Sequence, residues 1–318
     1  MRELTMPMLM IKKINGLCTI QDLGRLHAQH LGFSAGGAAD EYGFLSANKL
    51  LENDSNAAAL ELTFANIVLL AQADCTIAIT GADCQVSIND KPAALWRTLH
   101  LHVGDTLLVK TKNTGLHTYI AIAGGINSKV WLNSRAQTLN EITLGFGEPL
   151  LAANSKIKLS AKCYQPELNN TIAIPQAQQF YPTDGLTLRF IPSTLWQKLP
   201  SSVQQQFLKQ TYQISPASNR MGYRLLGEVL NIDDSQTTTL SKPVTFGAIQ
   251  LPNDGQPIVL MKERQTIGGY PVLGSVIQTD LFRLSQLRPA KKVTFAPVTV
   301  EFAQQQLSSF YQRFSLKK

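Results

Sequence analysis

Charge is scarce in this chain: 16% of its 318 residues are Asp, Glu, Lys or Arg, against about 25% in an average globular domain. Long apolar runs are missing too. No segment approaches the roughly 20 uninterrupted apolar residues that a bilayer span requires, and the run from Met6 to Ile11 is stopped by Lys12 and Lys13. No membrane contact is therefore expected, and the chain is expected to stay in the cytoplasm. There is no C-x-x-C pair. Cys18, Cys75, Cys84 and Cys163 lie far apart, which argues against a zinc site or a disulfide framework and marks them as small buried hydrophobes. A Walker A loop, a complete G-x-G-x-x-G and an H-E-x-x-H are all absent, so ATP or metal chemistry would have to come from elsewhere. A dense basic run is also lacking: the net charge is +7, but only Arg313 to Lys318 is locally basic, so no nucleic-acid partner is expected. An anionic substrate or an acidic partner protein explains the same charge.

What is present is a folded composition, 44% hydrophobic with a mean hydropathy of -0.03, and a length that favours two domains. Alternating or continuous apolar segments at Asp74 to Thr80, Leu99 to Val103, Thr106 to Thr111 and Thr118 to Ile122 predict strands joined by turns. Asp40 is a good N-cap for a helix through Phe44 and Leu51, ending near Asn53. Further on, a strand is predicted at Leu186 to Ile191, then a helix around Leu195 to Tyr212 that Pro200 breaks or kinks. Pro257 to Met261 and Val293 to Val300 read as strands, and Ala303, Leu307, Phe310 and Phe314 are spaced for a C-terminal helix. Strands dominate and helices are few, which favours barrels or sandwiches over a doubly wound fold. A polar, proline-rich passage over 164–184 reads as a linker between an N-terminal β-rich domain, 1–163, and a C-terminal one, 185–318.

Three generic motifs carry little. Gly32-Phe33-Ser34-Ala35-Gly36 matches a nucleophile elbow, but the polar stretch Arg25 to Leu31 before it is unlike the buried strand an elbow needs. Met261-Lys262 resembles a biotin-attachment hairpin, yet Glu263 follows and the carrier glycines are missing, so no covalently bound cofactor is expected. His100 and His102 share a strand face as a metal pair would, but two solvated histidines read better, and no metal is expected.

Several blocks concentrate Gly, Asp, Arg, Gln and Asn beyond what turns demand: Gln21-Asp22-Leu23-Gly24-Arg25; Gly36 to Asp40 with Asn48; Leu60 to Thr63, containing Glu61; Ser218 to Leu225; and Gly247 to Pro257 running into Gln265 to Pro271. In these ordered blocks, from about Gly16 to Val298, the chain resembles the KipA-like proteins, the second allophanate-hydrolase-type subunit. That family is also described as biotin-dependent carboxyltransferases and includes the C component of bacterial 5-oxoprolinase. The resemblance implies a mainly β chain of two β-rich domains, with a cyclophilin-like barrel in the C-terminal one. It also implies two partner proteins, a KipI-like B component and a LamB/YcsF-like A component. ATP with Mg would act in the assembled complex to open 5-oxoproline to glutamate. The chain departs from the family pattern at Ala39, where Met is usual, at Asn219, where Asp is usual, and at Lys262-Glu263, where a small residue and Asp are usual.

A lactam bearing a carboxylate must be held at both ends, by guanidinium groups at the carboxylate and by amides or backbone donors at the ring carbonyl. Arg25, Arg135 and Arg220 are candidate clamps, beside Met221; Gln250, Gln256 and Gln265 can serve an amide edge. Asp22, Glu61, Asp254 and Asp280 are candidate bases, while Asp40 divides between a site role and the helix cap. Gly268-Gly269-Tyr270-Pro271 permits close backbone approach to an anion with Tyr270 over the ligand. Two rival readings stand beside the hydrolase complex: a regulatory protein antagonising a KipI-like kinase inhibitor, and a carboxyltransferase component of a biotin-dependent urea or amide carboxylase.

Overall fold

The computed structural model describes residues 6–168, 181–182, 185–232 and 240–316. These fall into two compact units: Met1–Leu26 with Gly36–Phe180, and His27–Ala35 with Tyr181–Lys318. The chain is mostly β with a few helices, in two β-rich units.

In the first unit the strands are β1 (Met8–Gln21), β2 (Ala59–Ala71), β3 (Cys75–Gly81), β4 (Cys84–Ile88), β5 (Lys91–Ala93), β6 (Thr98–Leu101), β7 (Thr106–Thr111), β8 (His117–Ile122) and β9 (Lys156–Lys158), with helices α1 (Glu41–Leu50) and α2 (Leu139–Thr143). They form one sheet in the order β5-β4-β7-β2-β8-β3-β6, with β1 pairing both β2 and β9. The long strand β2 changes partner along its length, meeting β8 through Leu60–Thr63 and β7 through Asn66–Leu70. A change of parity goes with that switch. Leu60 and Leu62 face the core before it, and Ala65, Ile67 and Leu69 after it. One irregular residue, Phe64, with φ 47°, resets the alternation as a bulge does, so the apolar face stays inward. Opposite it, a Cβ on Gly16 would stand 2.4 Å from the Phe64 carbonyl oxygen, so the β1–β2 crossing tolerates only glycine there.

Strand β3 is buried along its whole length. Its Ile77 and Ile79 enter the core with Leu107, Val109 and Ile120, while Thr80 Oγ1 donates to the Gly43 carbonyl of α1 at 2.7 Å. Asp40 caps that helix as its sequence position predicts, accepting from the Tyr42 and Gly43 N–H groups.

In the second unit β10 (Gly185–Pro192), β11 (Tyr212–Ile214), β12 (Gly222–Leu226), β14 (Ala248–Gln250), β15 (Ile258–Leu260), β17 (Val272–Val276) and β18 (Lys292–Pro297) close a barrel in the order β10-β17-β14-β15-β12-β11-β18. The ribbon β13 (Lys242–Pro243) with β16 (Ile267–Gly268) stands apart from it. The helices are α3 (Thr194–Lys198), α4 (Ser201–Lys209), α5 (Gln278–Leu284) and α6 (Val300–Gln312). Pro200 splits the single helix predicted near it: it lacks the N–H an interior position needs and instead stands as the N-cap of α4. Phe190, Trp196, Phe207, Tyr212 and Phe295 form one aromatic cluster, with Phe207 stacked on Phe295 at 4.4 Å between centroids. Asp280, at the start of α5, takes a bidentate grip from Arg189 of β10, with Nε 2.8 Å from Oδ2.

Some expectations shift. Val103 lies beyond β6 and is 67% exposed; Val300 begins α6, whose cap is Thr299, rather than ending β18. Of the segment read as linker, Tyr164 to Leu168 is tied to the first sheet, the Gln165 N–H donating to Thr76 Oγ1 and the Leu168 carbonyl accepting from Thr98 Oγ1. Residues 169–180 and 183–184 of that segment lie outside the described residues. No strand runs directly into Ser34, where the short turn Gln29–Leu31 stands instead, so the elbow geometry is absent there. Lys262 is buried with its Nζ 4.9 Å from the Phe246 ring centre, which is not how an attachment lysine is presented. His100 is not solvated as expected; it is half-buried and shares a hydrogen with Thr76 Oγ1, whereas His102 is exposed beside Asp74.

All four cysteines are buried and unbridged. Burial pushes the Cys75 and Cys84 thiols up to about 12 and raises Cys18 and Cys163 as well. Native protein should therefore react with an aromatic disulfide reagent at pH 8 far more slowly than denatured protein, which should release four equivalents. Because the unfolded thiols ionise near pH 9 while the folded ones hold their protons, unfolding free energy should fall as pH climbs from 9 towards 12. Each fully buried thiol contributes about 1.4 kcal/mol per pH unit to that fall. A flat stability profile over this range, read by urea titration, would contradict the burial.

Candidate functional site

The first three sequence blocks converge in the N-terminal unit, and two buried carboxylates bring them together. Asp22 accepts from the Gly24 N–H at 2.8 Å, from Ser134 Oγ at 2.7 Å and from the Arg135 N–H at 2.6 Å. Ser134 closes a two-residue hairpin, Trp131 to Ser134, in which Leu132 and Asn133 both take positive φ, the twist a tight primed turn requires, and Arg135 follows it directly. Asp22 thereby sets the position of Arg135. Its own backbone carbonyl accepts from the Ala38 N–H. A Cβ on Gly37, at φ 90°, would come within 2.8 Å of the Leu23 backbone, so the two loops touch main chain to main chain.

Glu61 is the second carboxylate. It is fully buried and accepts from the Ala39 N–H at 2.9 Å and from the Tyr119 hydroxyl at 2.7 Å, with His117 Nδ1 at 3.4 Å. The Tyr119 oxygen in turn accepts from the Asp40 N–H at 2.8 Å. Burial first, and then the charge of Glu61, pushes the Tyr119 hydroxyl well above its ordinary range. This network fixes the 36–40 loop and the start of α1.

A narrow cleft opens beside Arg25, lined by Lys129, Trp131, Arg135, Thr138 and Glu148 among others. The Arg25 guanidinium donates to the Ala136 carbonyl and to Thr138 Oγ1, and lies over the Trp131 ring at 4.7 Å, which itself stacks on Phe146. Arg135 is half-buried at the same cleft, and its guanidinium enters no ion pair among the described residues. Glu148 is engaged by the Lys129 N–H at 3.0 Å. Three cations against one carboxylate give a cleft suited to a small anion. Among the described residues no group of three or more His, Cys, Asp and Glu side chains could hold a metal.

Sequence reasoning named Asp22, Arg25 and Arg135 here, and the structure brings them together. It missed Lys129, Trp131 and Thr138; a lone tryptophan between Lys129 and Arg135 in a turn-rich stretch was the available signal. Asp22 and Glu61, read as bases, act as braces whose oxygens are filled by protein donors. Asn48 also braces, donating to the Ala57 carbonyl and accepting from Asn53. Asp40 is the helix cap.

In the C-terminal unit the named residues separate. Asp280 is the Arg189 partner on α5. Asp254 is exposed and caps its own turn at the Gln256 N–H, while Gln256 pairs with both backbone groups of Gly227. Gln250, Gln265 and Gly268 do meet: Gln265 Nε2 donates to Gln250 Oε1 at 3.2 Å, and a Cβ on Gly268 would stand 2.5 Å from Gln250 Nε2. Gly269 and Tyr270 are exposed. Asn219 organises its turn by accepting from the Met221 N–H, which leaves Met221 partly exposed.

Arg220, read as an anion clamp, lies in a buried ion pair. Its Nε donates to Glu263 Oε1 at 2.5 Å, with both side chains buried. Breaking such a pair strands one charge in low dielectric. Arg220→Ala and Glu263→Ala should each lower stability by about 3–5 kcal/mol, and the double substitution by clearly less than the sum, since neither charge is then left alone. Additive losses in denaturant titrations would show that the two do not pair.

The family model for the carboxyltransferase domain, subdomain A and B, matches residues 31–297. The chain is 31% identical to the C component of Escherichia coli 5-oxoprolinase, covering 93% of both chains, and 32% identical to that of Haemophilus influenzae, again with 93% of both. Urea amidolyase of Lachancea kluyveri matches at 27% identity over 90% of this chain but 17% of its own. Among solved structures, TTHA0988 superimposes with a TM-score of 0.81 at 25% identity, over 93% of this chain and 56% of that one. Kluyveromyces lactis urea amidolyase gives a TM-score of 0.85 at 22% identity, over 98% of this chain and 20% of that one, a likeness of fold. The match over residues 31–297, with the two relatives above 30% identity, settles the family: the chain belongs to the carboxyltransferase domain family of subdomains A and B.

Proposed function

We propose that this chain is the C component of an ATP-dependent 5-oxoprolinase, hydrolysing 5-oxo-L-proline to L-glutamate with a KipI-like and a LamB/YcsF-like partner in the cytoplasm. The observation that carries the reading is mutual coverage: the chain matches 93% of the 5-oxoprolinase components and only 17% of a urea amidolyase. The cationic cleft supports it, since the substrate is a small cyclic amide with one carboxylate. Arg135 and Lys129 offer donors for that carboxylate, and Thr138 and Arg25 line the same cleft. ATP with its Mg is assigned to the assembled complex, where phosphorylating the lactam oxygen would turn it into a leaving group for attack by water. A second reading, transfer of a carboxyl group to an amide from biotin on another protein, is favoured by the family itself and by the urea amidolyase match.

Co-purification with the two partner proteins, followed by glutamate release from 5-oxoproline and ATP with each component omitted in turn, tests the proposal. The chain alone should be inactive towards both compounds, and the trio active. An inactive trio that instead carboxylates an amide when given a biotinylated carrier would favour the second reading. Within an active complex, Arg135→Met should lower kcat/KM roughly 10- to 100-fold, the size of one lost charge-assisted contact, with an unchanged melting temperature. Wild-type turnover would remove the cleft from the reaction.

A further inference from the structure

The stretch from Lys129 to Leu150 carries an apolar face turned to solvent. Val130, Leu139, Leu144, Phe146 and Leu150 are all exposed, Leu144 by 71% and Val130 by 52%. Single exposed hydrophobics are ordinary, but a group of them on one short stretch marks a surface that meets something. The backbone beneath them is formed rather than loose. Gln137, itself buried, donates from Nε2 to the Glu148 and Pro149 carbonyls at 3.2 and 2.7 Å, which staples the two ends together. Inside the staple the Leu144 N–H donates to the Asn140 carbonyl, the Gly145 N–H to that of Ile142 and the Phe146 N–H to that of Glu141. Gly145 and Gly147, at φ 85° and 80°, hold Phe146 between them, and a Cβ on either would meet nothing within 4 Å. Apolar area is therefore displayed by a fixed scaffold, where water makes it costly.

The same stretch builds the cleft. Apart from Arg25, every residue lining it lies between Lys129 and Glu148, with Ile142 and Phe146 among them. Phe146 belongs to both, since it stacks on Trp131 at 5.3 Å and is still 42% exposed. The apolar face is thus continuous with the cleft mouth. Its charges are unequal in reach. Glu141 is buried, and Glu148 is half-buried with Oε1 accepting from the Lys129 N–H, whereas the Lys129 side chain is exposed. Arg135 is half-buried beside it. An apolar face edged by cations, on a chain of net charge +7, is complementary to an apolar segment bearing carboxylates.

We propose that Val130, Leu139, Leu144, Phe146 and Leu150, with Lys129 at their edge, form the docking surface for an acidic partner protein, which seats an apolar segment there and covers the cleft mouth. This rests on the reading of the chain as one component of a complex and locates the partner at that same cleft. Buried apolar side chains supply the affinity of such a contact, and the edge cation steers the approach.

The test is binding of the full chain to the separately purified KipI-like and LamB/YcsF-like proteins, by biolayer interferometry at about 50 and about 500 mM sodium chloride. Sedimentation velocity of the chain alone and glutamate release by the mixture run alongside. One of the two proteins should bind, more tightly at low salt. Leu144→Asp and Val130→Asp should each weaken binding roughly tenfold or more with unchanged melting temperature. Lys129→Glu should weaken it most at low salt, and Val300→Asp, an exposed position at the start of α6, should leave it as it was. Binding that depends on these residues, in a mixture that releases no glutamate, keeps the surface and removes the oxoprolinase reading. Glutamate release with binding untouched by Leu144→Asp and Val130→Asp keeps that reading and overturns the surface. The proposal also falls if neither protein binds, or if affinity is indifferent both to salt and to Lys129→Glu. A dimer of the chain alone that Leu144→Asp dissolves assigns the face to a second copy and overturns it as well.

Discussion

A carboxylate sealed from water must have its oxygens filled, and the N-terminal unit is organised around that demand at Glu61. It sits on β2, on the face opposite Leu60 and Leu62, and reaches the 36–40 loop through the Ala39 N–H and β8 through the Tyr119 hydroxyl. The tyrosine passes the restraint on to the Asp40 N–H. With its backbone fixed, Asp40 can cap α1, and Gly36 and Gly37 lie against the 22–25 loop. The cleft exists because that loop is held from behind, a role for which an acid with strong, directional acceptors is better suited than an apolar contact.

Asp22 extends the scheme to the front of the cleft. Two of its three accepted hydrogen bonds hold the end of the Trp131 hairpin, and the third closes its own loop at Gly24, so that Arg135 joins Arg25 and Lys129 in lining the cleft. Acids thus serve as internal struts and cations face the opening. That division agrees with the low overall charge of the chain: few ionisable groups are present, and several of them are structural.

The barrel handles buried charge differently. Arg189 and Asp280 pin α5 to β10, and Arg220 and Glu263 join the turn before β12 to the segment after β15. Both are closed pairs with little left to offer a ligand.

The sequence by itself determined the family and those elements whose signals are local. Strand alternation, the Asp40 cap and the break at Pro200 are local effects, set by side-chain periodicity and backbone geometry within a few residues. The ordered Gly, Asp and Arg blocks marked which loops matter. It did not determine which acids are braces and which cations face a cleft, because that depends on partners distant in the chain: Asp22 on Ser134, Glu61 on Tyr119, Arg220 on Glu263. A lone arginine reads the same in sequence whether a carboxylate waits across the barrel or not. Only the tertiary structure supplies the partner, and with it the low dielectric that turns an ordinary side chain into a strut or a binding group.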